Sequence, residues 1–504
     1  MNSKSFCIKK ANYILAIDQG TSSTKSLIFD AQGQAVAKGS EPLLTYYADN
    51  GFVEQDPEAI YQNVLASVKQ SLEAFEKAGH TKEQIAAIGI SNQRETFVVW
   101  DKAGKPLYNA VVWQCKRSVE ICESLKQQNL GELINSKTGL LIDPYFSGTK
   151  LMWLAQHNEA VKNAIRDGNA YFGTIDTWLL YKFTGGHSYA TDYTNASRTL
   201  LFNLHTLNWD QGLIELFGLN GINLPEIKPS SALFGETALE SLFDQAIPVT
   251  GMIGDSHAAA FGEGCFETGT AKATLGTGCS ILMNIGDKPL QSKNGMVTTI
   301  CWSTEERVDF AFEGVIVSCG ATIEWLKNEL ALFSNSADTE AMALAVDDNA
   351  GVYLVPAFSG LGSPHWDMDR RASITGMSFG TTKNHIVRAA LESIPYQIKD
   401  VIVAMEKDAG ILLQELNADG GMTKNQFLVQ FLADLLGKPV SLIGMPDVSA
   451  LGAAYMAGLK AGVYESIDSL KKLNADKKTC NPSGNELITK KGYAGWKTVI
   501  DSSI

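Results

Sequence analysis

Four absences narrow the reading of this 504-residue chain. No C-x-x-C pair occurs: Cys7, Cys115, Cys122, Cys265, Cys279, Cys301, Cys319 and Cys480 are scattered, which excludes a disulfide framework or a cysteine zinc site and fits a reducing cytoplasm. No apolar run approaches membrane-spanning length. The N-terminal lysines Lys4, Lys9 and Lys10 precede only the short run Tyr13 to Ile17 before Asp18 breaks it, too little for a signal segment. There is no basic excess. The formal charge is -13, and nothing announces a nucleic acid or an anionic membrane as partner. Finally, neither G-x-x-x-x-G-K-[ST] nor G-x-G-x-x-G is present, so the commonest nucleotide fingerprints are excluded. What remains is a soluble cytoplasmic protein long enough for two or more domains.

What is there is α/β in pattern. "YILAIDQGTSSTKSLIFDAQG" reads as strand, Gly/Thr/Ser turn, strand, and a second turn at Asp30 to Gly33. A long amphipathic helix follows, with Asp56 as cap and Pro57 at the first position. "AAIGISNQRETFVVWDKAGKPLY" is strand, loop and strand, with a hairpin turn at Lys102-Ala103-Gly104. A similar opening recurs at Ala271 to Pro289. It is followed by a strand in "VDFAFEGV", a helix over 320–333, a strand, glycine turn and helix around "NADGGMTKNQFLVQF", and a final small-residue helix in "SALGAAYMAGLKAG". The repeat implies two α/β halves meeting near residue 262.

Three glycine turns stand out: Asp18-Gln19-Gly20-Thr21-Ser22-Ser23, Gly276-Thr277-Gly278 and Asp419-Gly420-Gly421. Each alone reads as a β-hairpin. Together they offer backbone N–H groups and hydroxyls to an anion, with Lys25 as an added cation. Asp18 ends an apolar strand beside the first turn, a costly place for a bare carboxylate. A hydrated Mg²⁺ on a nucleotide would partner it, which points to ATP chemistry outside the P-loop class. In "VTGMIGDSHAAAFGEG", Asp255 sits where a strand hands over to a helix. It reads as an N-cap, as a base aimed at a bound alcohol, or, with Ser256 and His257, as a hydrolase group. The last is disfavoured because neighbouring side chains rarely meet in the needed geometry and no G-x-S-x-G occurs.

The segments "IDQGTSSTK", "GISNQRETFVVW", "YNAVVWQCKR", "GLLIDPYFSGTKLMWL", "TDYTNASRTLLFN", "LGTGCSILMN" and "VPAFSGLGSPHWD" run in order along nearly the whole chain. Together they resemble the FGGY carbohydrate kinases, the glycerol kinase branch most of all. The resemblance implies two ribonuclease-H-like domains of the actin and hexokinase kind, 1–261 and 262–504, with ATP in the cleft between them. It also implies ATP and Mg²⁺ as cofactors and a small polyol as phosphoryl acceptor. Glycerol is the first choice and a four- or five-carbon polyol or related sugar the alternative. A non-catalytic actin-like ATPase or regulatory homologue is a more distant one.

Position by position, the resemblance implies that Thr21, Ser22, Ser23 and Lys25 form the first phosphate loop and Gly276 with Thr277 the second. Gly320, Glu324, Gly421 and Asn425 fall on the adenosine side, and Asp18 on the Mg²⁺. Arg94, Glu95, Trp113, Tyr145, Asp255 and Ser256 form the polyol pocket, with Asp255 the general base. Lys25 replaces the usual Arg and loses its bidentate fork. Glu324 replaces a usual Gln, Ser256 a Gln beside the base, and Ser280 a Phe. The last two changes shrink side chains near the pocket, which would weaken small-polyol contacts or admit a longer polyol, with glycerol still the first choice. Ala246 replaces an Arg in the segment that, in some bacterial relatives, confers inhibition by fructose 1,6-bisphosphate, and Asp244 adds negative charge nearby. No such inhibition is expected. Dimers or tetramers are common in the family, and no segment reads as an interface.

Overall fold

The computed structural model describes residues 12–474, 477–484 and 486–502. Cys7 and the lysines at 4, 9 and 10 lie outside the described residues, and with them the reading of the N-terminus. The described chain forms two compact units. The first takes its residues from 1–262, 299–309 and 447–474, the second from 263–298, 310–446 and 475–504. The units are therefore discontinuous in sequence, whereas the sequence reading divides the chain once, at 261/262.

Unit 1 is built on a six-stranded sheet. Its strands are β1 (Tyr13–Gln19), β2 (Ser23–Phe29), β3 (Ala35–Pro42), β4 (Ile85–Asn92), β5 (Ser231–Thr237) and β6 (Ile247–Gly254), in the order β5-β6-β4-β1-β2-β3. β1, β4 and β6 run parallel, while β2 and β3 continue from β1 as antiparallel hairpins. The parallel strands are covered on both faces, which is why they read as near-continuous apolar runs. Ile14, Leu15, Ala16, Ile17, Ile88, Ile90, Met252 and Ile253 are all fully buried.

Helix α1 (Pro57–Lys77) starts as expected, with the Asp56 carboxylate accepting from the N–H groups of Glu58 and Ala59 and Pro57 in the first turn. Ile60, Val64, Val68, Leu72 and Phe75 form its buried face. Gly39 on β3 lets α1 lie close, because a β-carbon there would collide with Ser67 O. After β6 the chain turns into α2 (Asp255–Gly262).

Unit 2 repeats the opening. β7 (Thr270–Leu275) and β8 (Cys279–Gly286) form an antiparallel hairpin, β8 pairs with β9 (Val308–Ile316), and α3 (Gly320–Asn328) follows. The helix expected over 320–333 ends at 328. Exposed Glu329, Leu330 and Ala331 leave it, and Ala331 takes φ 49°. The long helix α4 (Lys383–Ala409) leads to β10 (Glu415–Asp419), which lies parallel to β7. Next come α5 (Gln426–Leu436) and α6 (Val448–Ala461). α6 returns to unit 1 and covers the parallel strands there, and Gly452 is required because a β-carbon would strike Ala258 O on α2.

The small-residue helix α6 is not the last one, contrary to expectation. In unit 2, α7 (Glu486–Asp501) packs Trp496 and Ile500 with Tyr396 and Phe431. Its Gly492 and Gly495 look like helix breakers in sequence. They are there because side chains at those positions would strike the hydroxyls of Tyr396 and Tyr353. Among the described residues no helix is long and apolar enough to cross a membrane.

Candidate active site

In unit 1 the register of three adjacent parallel strands gathers the expected residues. Asp18 stands opposite Ser91 on β4, and so does Ile253 on β6. Asp18 at the end of β1, the Gln93-Arg94-Glu95 segment after β4 and Asp255 after β6 thus leave the sheet side by side at its carboxyl ends. That is where open α/β sheets bind ligands.

Asp255 is the first residue of α2. Its Oδ1 accepts the Ser256 N–H at 2.6 Å and lies 3.2 Å from Arg94 Nε, and its side chain is 41% exposed, open to a ligand. Ser449 Oγ donates to Asp255 O at 3.1 Å. Ser256 is half-buried. His257 is fully buried, with Nε2 3.3 Å from Thr299 Oγ1, which makes it a packing residue near the helix start.

Arg94 and Glu95 are not a surface pair. Both are buried, and each has a different carboxylate or guanidinium partner. Glu95 Oε1 lies 2.6 Å from Arg198 Nε, with both side chains at 2% exposure or less. Glu95 has φ 58°, a conformation that a side-chain-bearing residue adopts only under constraint. Ser147 Oγ holds it by donating to Glu95 O at 2.9 Å.

Trp113 follows the short strand Ala110–Val111, is half-buried, and meets Tyr145 edge to face at 5.6 Å and 72°. The Arg198 guanidinium lies 5.9 Å from the Tyr145 ring centre and 5.0 Å from that of Phe146. Lys150 is fully buried, and its ammonium donates to the carbonyls of Tyr145 at 2.6 Å, Pro144 at 3.0 Å and Trp113 at 3.4 Å. Burial pulls its pKa down to about 8.

At the first turn, Gly20 N–H donates to Ser23 O at 3.0 Å, closing the β1–β2 hairpin with Thr21, Ser22 and Ser23 at its tip. Asp18 accepts Ser91 Oγ–H at 3.0 Å. Burial first, and the Asp255 carboxylate second, push its pKa up to about 6. Lys25 Nζ lies 3.0 Å from Asp447 Oδ1, and Lys38 Nζ 2.6 Å from Asp447 Oδ2. Burial alone would lower the Lys25 pKa, but Asp447 outweighs it and holds it above the ordinary value.

In unit 2 the two remaining glycine turns also converge, since Thr274 pairs with Asp419 across β7 and β10. Gly320 N–H donates to Gly276 O at 2.9 Å, and Cys319 and Ala321 donate to Thr277 O, so the turn is docked on the start of α3. Gly420 has φ 96°, and a β-carbon there would strike Leu275 O. The Asp419-Gly420-Gly421 turn is not a hairpin. It leads from strand to a short 3-10 turn and helix. Thr277 is exposed at the tip of its turn. Asn425 caps α5 by accepting Leu428 N–H at 3.0 Å, and its amide donates to Thr339 Oγ1. Glu324 is exposed and takes hydrogen bonds from Ser336 at 2.7 Å and Lys327 at 3.5 Å.

Sequence reasoning missed Arg198, Lys150, Asp447, Ser91 and Gln93. Arg198 and Lys150 sit within segments quoted for the resemblance, "TDYTNASRTLLFN" and "GLLIDPYFSGTKLMWL", but no local pattern marks a buried cation as a strut.

Carboxylates at the carboxyl ends of parallel strands beside a hydroxyl-rich glycine turn in unit 1, and a second pair of glycine turns within unit 2, accompany the two-unit α/β fold of the actin and hexokinase kind. More particularly, the chain belongs to the FGGY family of carbohydrate kinases. The family's N-terminal domain matches residues 13–262 and its C-terminal domain residues 271–461. The chain is 46% identical to glycerol kinase 2 of Thermotoga maritima over 493 residues, covering 98% of this chain and 99% of that protein. It is 47% identical to the glycerol kinase of Pseudomonas fluorescens over 494 residues, with coverage of 98% and 97%. The crystal structure of Plasmodium falciparum glycerol kinase with ADP superposes with a TM-score of 0.93 at 36% identity, over 98% of both chains. Xylulose kinase of Lactobacillus acidophilus shares the fold, with a TM-score of 0.86 at 22% identity over 97% of this chain and 99% of that one.

Proposed function

We propose that the protein transfers the γ-phosphoryl group of ATP to a primary hydroxyl of a small polyol, glycerol first, giving sn-glycerol 3-phosphate and ADP. The observation that carries this is the placement of Asp255. It is an accessible carboxylate backed by Arg94 and set among the ends of β1, β4 and β6 with Asp18 and the first glycine turn.

A primary alcohol is a poor nucleophile and needs a base within hydrogen-bond reach. Asp255 takes the hydroxyl proton as the oxygen–phosphorus bond forms, and the electron pair of the breaking bond leaves on ADP. Arg94 donates to one polyol hydroxyl and Glu95 accepts from a neighbouring one, while Arg198 and the Ser147 hydroxyl hold Glu95 in its constrained conformation. Trp113 and Tyr145 present apolar faces to the carbon chain, with Lys150 fixing the carbonyls of both. Thr21, Ser22, Ser23 and Lys25 bind phosphate oxygens from unit 1. Gly276 and Thr277 form the second phosphate-binding turn, with Gly320, Glu324, Gly421 and Asn425 on the adenosine side.

Mg²⁺ fits Asp18. Burial and the neighbouring Asp255 carboxylate push its pKa up to about 6, and this metal uses one or two carboxylates plus substrate phosphates and water. When bound it neutralises charge on the transferring phosphate. The seven described cysteines are all thiols, which accords with a cytoplasmic setting.

Ser256 favours a second reading. Its side chain is shorter than the Gln that the resemblance puts beside the base, and that smaller volume would admit a longer polyol. The test is kcat/KM for glycerol, erythritol, threitol and pentitols in a coupled ADP assay. Glycerol should lead, and a far better longer polyol would reverse the choice.

A further inference from the structure

The wall of the polyol pocket and the first phosphate turn share one hydroxyl. Trp113 Nε1–H donates to Thr21 Oγ1 at 2.9 Å, and Thr21 Oγ1–H donates to Gln93 Oε1 at 3.2 Å. The circuit closes on its other side. Trp113 N–H donates to Thr96 Oγ1 at 3.2 Å, and Thr96 Oγ1–H donates to the same Gln93 oxygen at 3.0 Å. Gln93 is itself fixed, its amide donating to Gln19 Oε1 at 3.1 Å and Gln55 Oε1 at 2.8 Å. Gln55 donates in turn to Thr21 O at 2.8 Å.

A hydroxyl has one proton and two acceptor pairs. With the indole N–H occupying one pair, the Thr21 proton can point to Gln93 or to an arriving phosphate oxygen. Moving it leaves no buried acceptor bare, because Gln93 Oε1 keeps the bond from Thr96. The hydroxyl is therefore poised between two settings, and the indole ring sets its direction. Trp113 is only half-buried. A polyol lying on its face restrains the ring and so prepares Thr21 for phosphate, while a phosphate held by Thr21 restrains the ring for the polyol. A group already ordered by one ligand costs less to order for the next.

We infer that the Trp113–Thr21 hydrogen bond couples polyol binding to nucleotide binding, so that each ligand tightens the other. The inference rests on the polyol and phosphate roles proposed above. Linkage requires the two enhancements to be equal.

The test is calorimetric. Mg²⁺ with a non-hydrolysable ATP analogue is titrated into the full chain with and without saturating glycerol, and glycerol is titrated with and without the analogue. The wild type should show the same several-fold enhancement in both directions, on the order of fivefold or more. Trp113→Phe keeps a ring and loses the N–H, and its enhancement should fall close to one. Thr21→Val should do the same, Thr21→Ser should keep the enhancement, and the Trp113→Phe/Thr21→Val double variant should lose no more than either single one. An enhancement of one in the wild type, or an undiminished one in Trp113→Phe, overturns the inference without bearing on the functional reading, which wild-type turnover tests separately. Absence of turnover with every polyol would instead sink the functional reading and the inference with it.

Discussion

Replacing Asp18 by Asn separates what the site needs from what the fold prefers. Burial, then the Asp255 carboxylate, raises Asp18 from 3.8 to about 6, against the opposing pull of the Ser91 hydroxyl and Lys25. The folded protein therefore holds this proton more tightly than the unfolded chain does. Below pH 3.8 both states are protonated and the full stability is present. As pH rises from 3.8 to 6 the unfolded chain releases the proton that the folded state still holds, and stability is lost. The shift corresponds to about 3 kcal/mol above pH 7, a ceiling because Asp18 keeps partial solvent contact. Asn carries no charge and can still accept the Ser91 proton. Asp18→Asn should then unfold in urea, without Mg²⁺, with a free energy higher than wild type by up to about 3 kcal/mol at pH 8. The gain should be about half that at pH 5 and small at pH 4. Turnover with Mg-ATP should collapse. A variant less stable than wild type at pH 8, or a difference that ignores pH, would refute the reasoning.

Asp255→Asn should lower kcat by about 10²–10⁴-fold while nucleotide affinity, read by calorimetry, stays nearly intact; an Asn variant with substantial turnover removes Asp255 from the role of base. Arg198→Met strips the partner from buried Glu95 and should cost about 3–5 kcal/mol in urea unfolding. Arg198→Lys should recover part of that and raise KM for glycerol more than it lowers kcat. Lys150→Met frees three carbonyls behind Trp113 and Tyr145, so KM for the polyol should rise by about tenfold with the nucleotide KM little changed. Equal changes in both constants would show that Lys150 supports the unit generally rather than the pocket wall.

What could be read in advance was local. The cap at Asp56, the Gly/Thr turns and the handover from β6 to α2 at Asp255 are decided by neighbours a few residues apart, so periodicity and turn chemistry reveal them. Arg94 and Glu95 were placed by resemblance, but their partners were not. Arg198 reaches Glu95 from 103 residues away, and Lys38 is bound by Asp447 across 409. Nothing in a single sequence distinguishes those charges from solvated ones. Gln93 is a sharper case. Its amide looks like loop polarity, yet it joins Gln19, Gln55, Thr21 and Thr96. α7 was missed because two glycines that make room for tyrosine hydroxyls are the same residues that normally argue against a helix. The discontinuous units follow from α6, whose small residues signal close packing without saying against which strands.

The late return of α6 has a bearing on biogenesis. By the time residue 262 leaves the ribosome, β1, β4 and β6 are all made, yet the helix that roofs them lies almost 190 residues further on. Through that interval the nascent sheet carries a bare apolar face, the kind of surface that sticks to other chains. Truncation anywhere before Val448 should therefore yield an insoluble or chaperone-held product, and separate expression of the first 262 residues should succeed only when the 448–461 segment is supplied or grafted back.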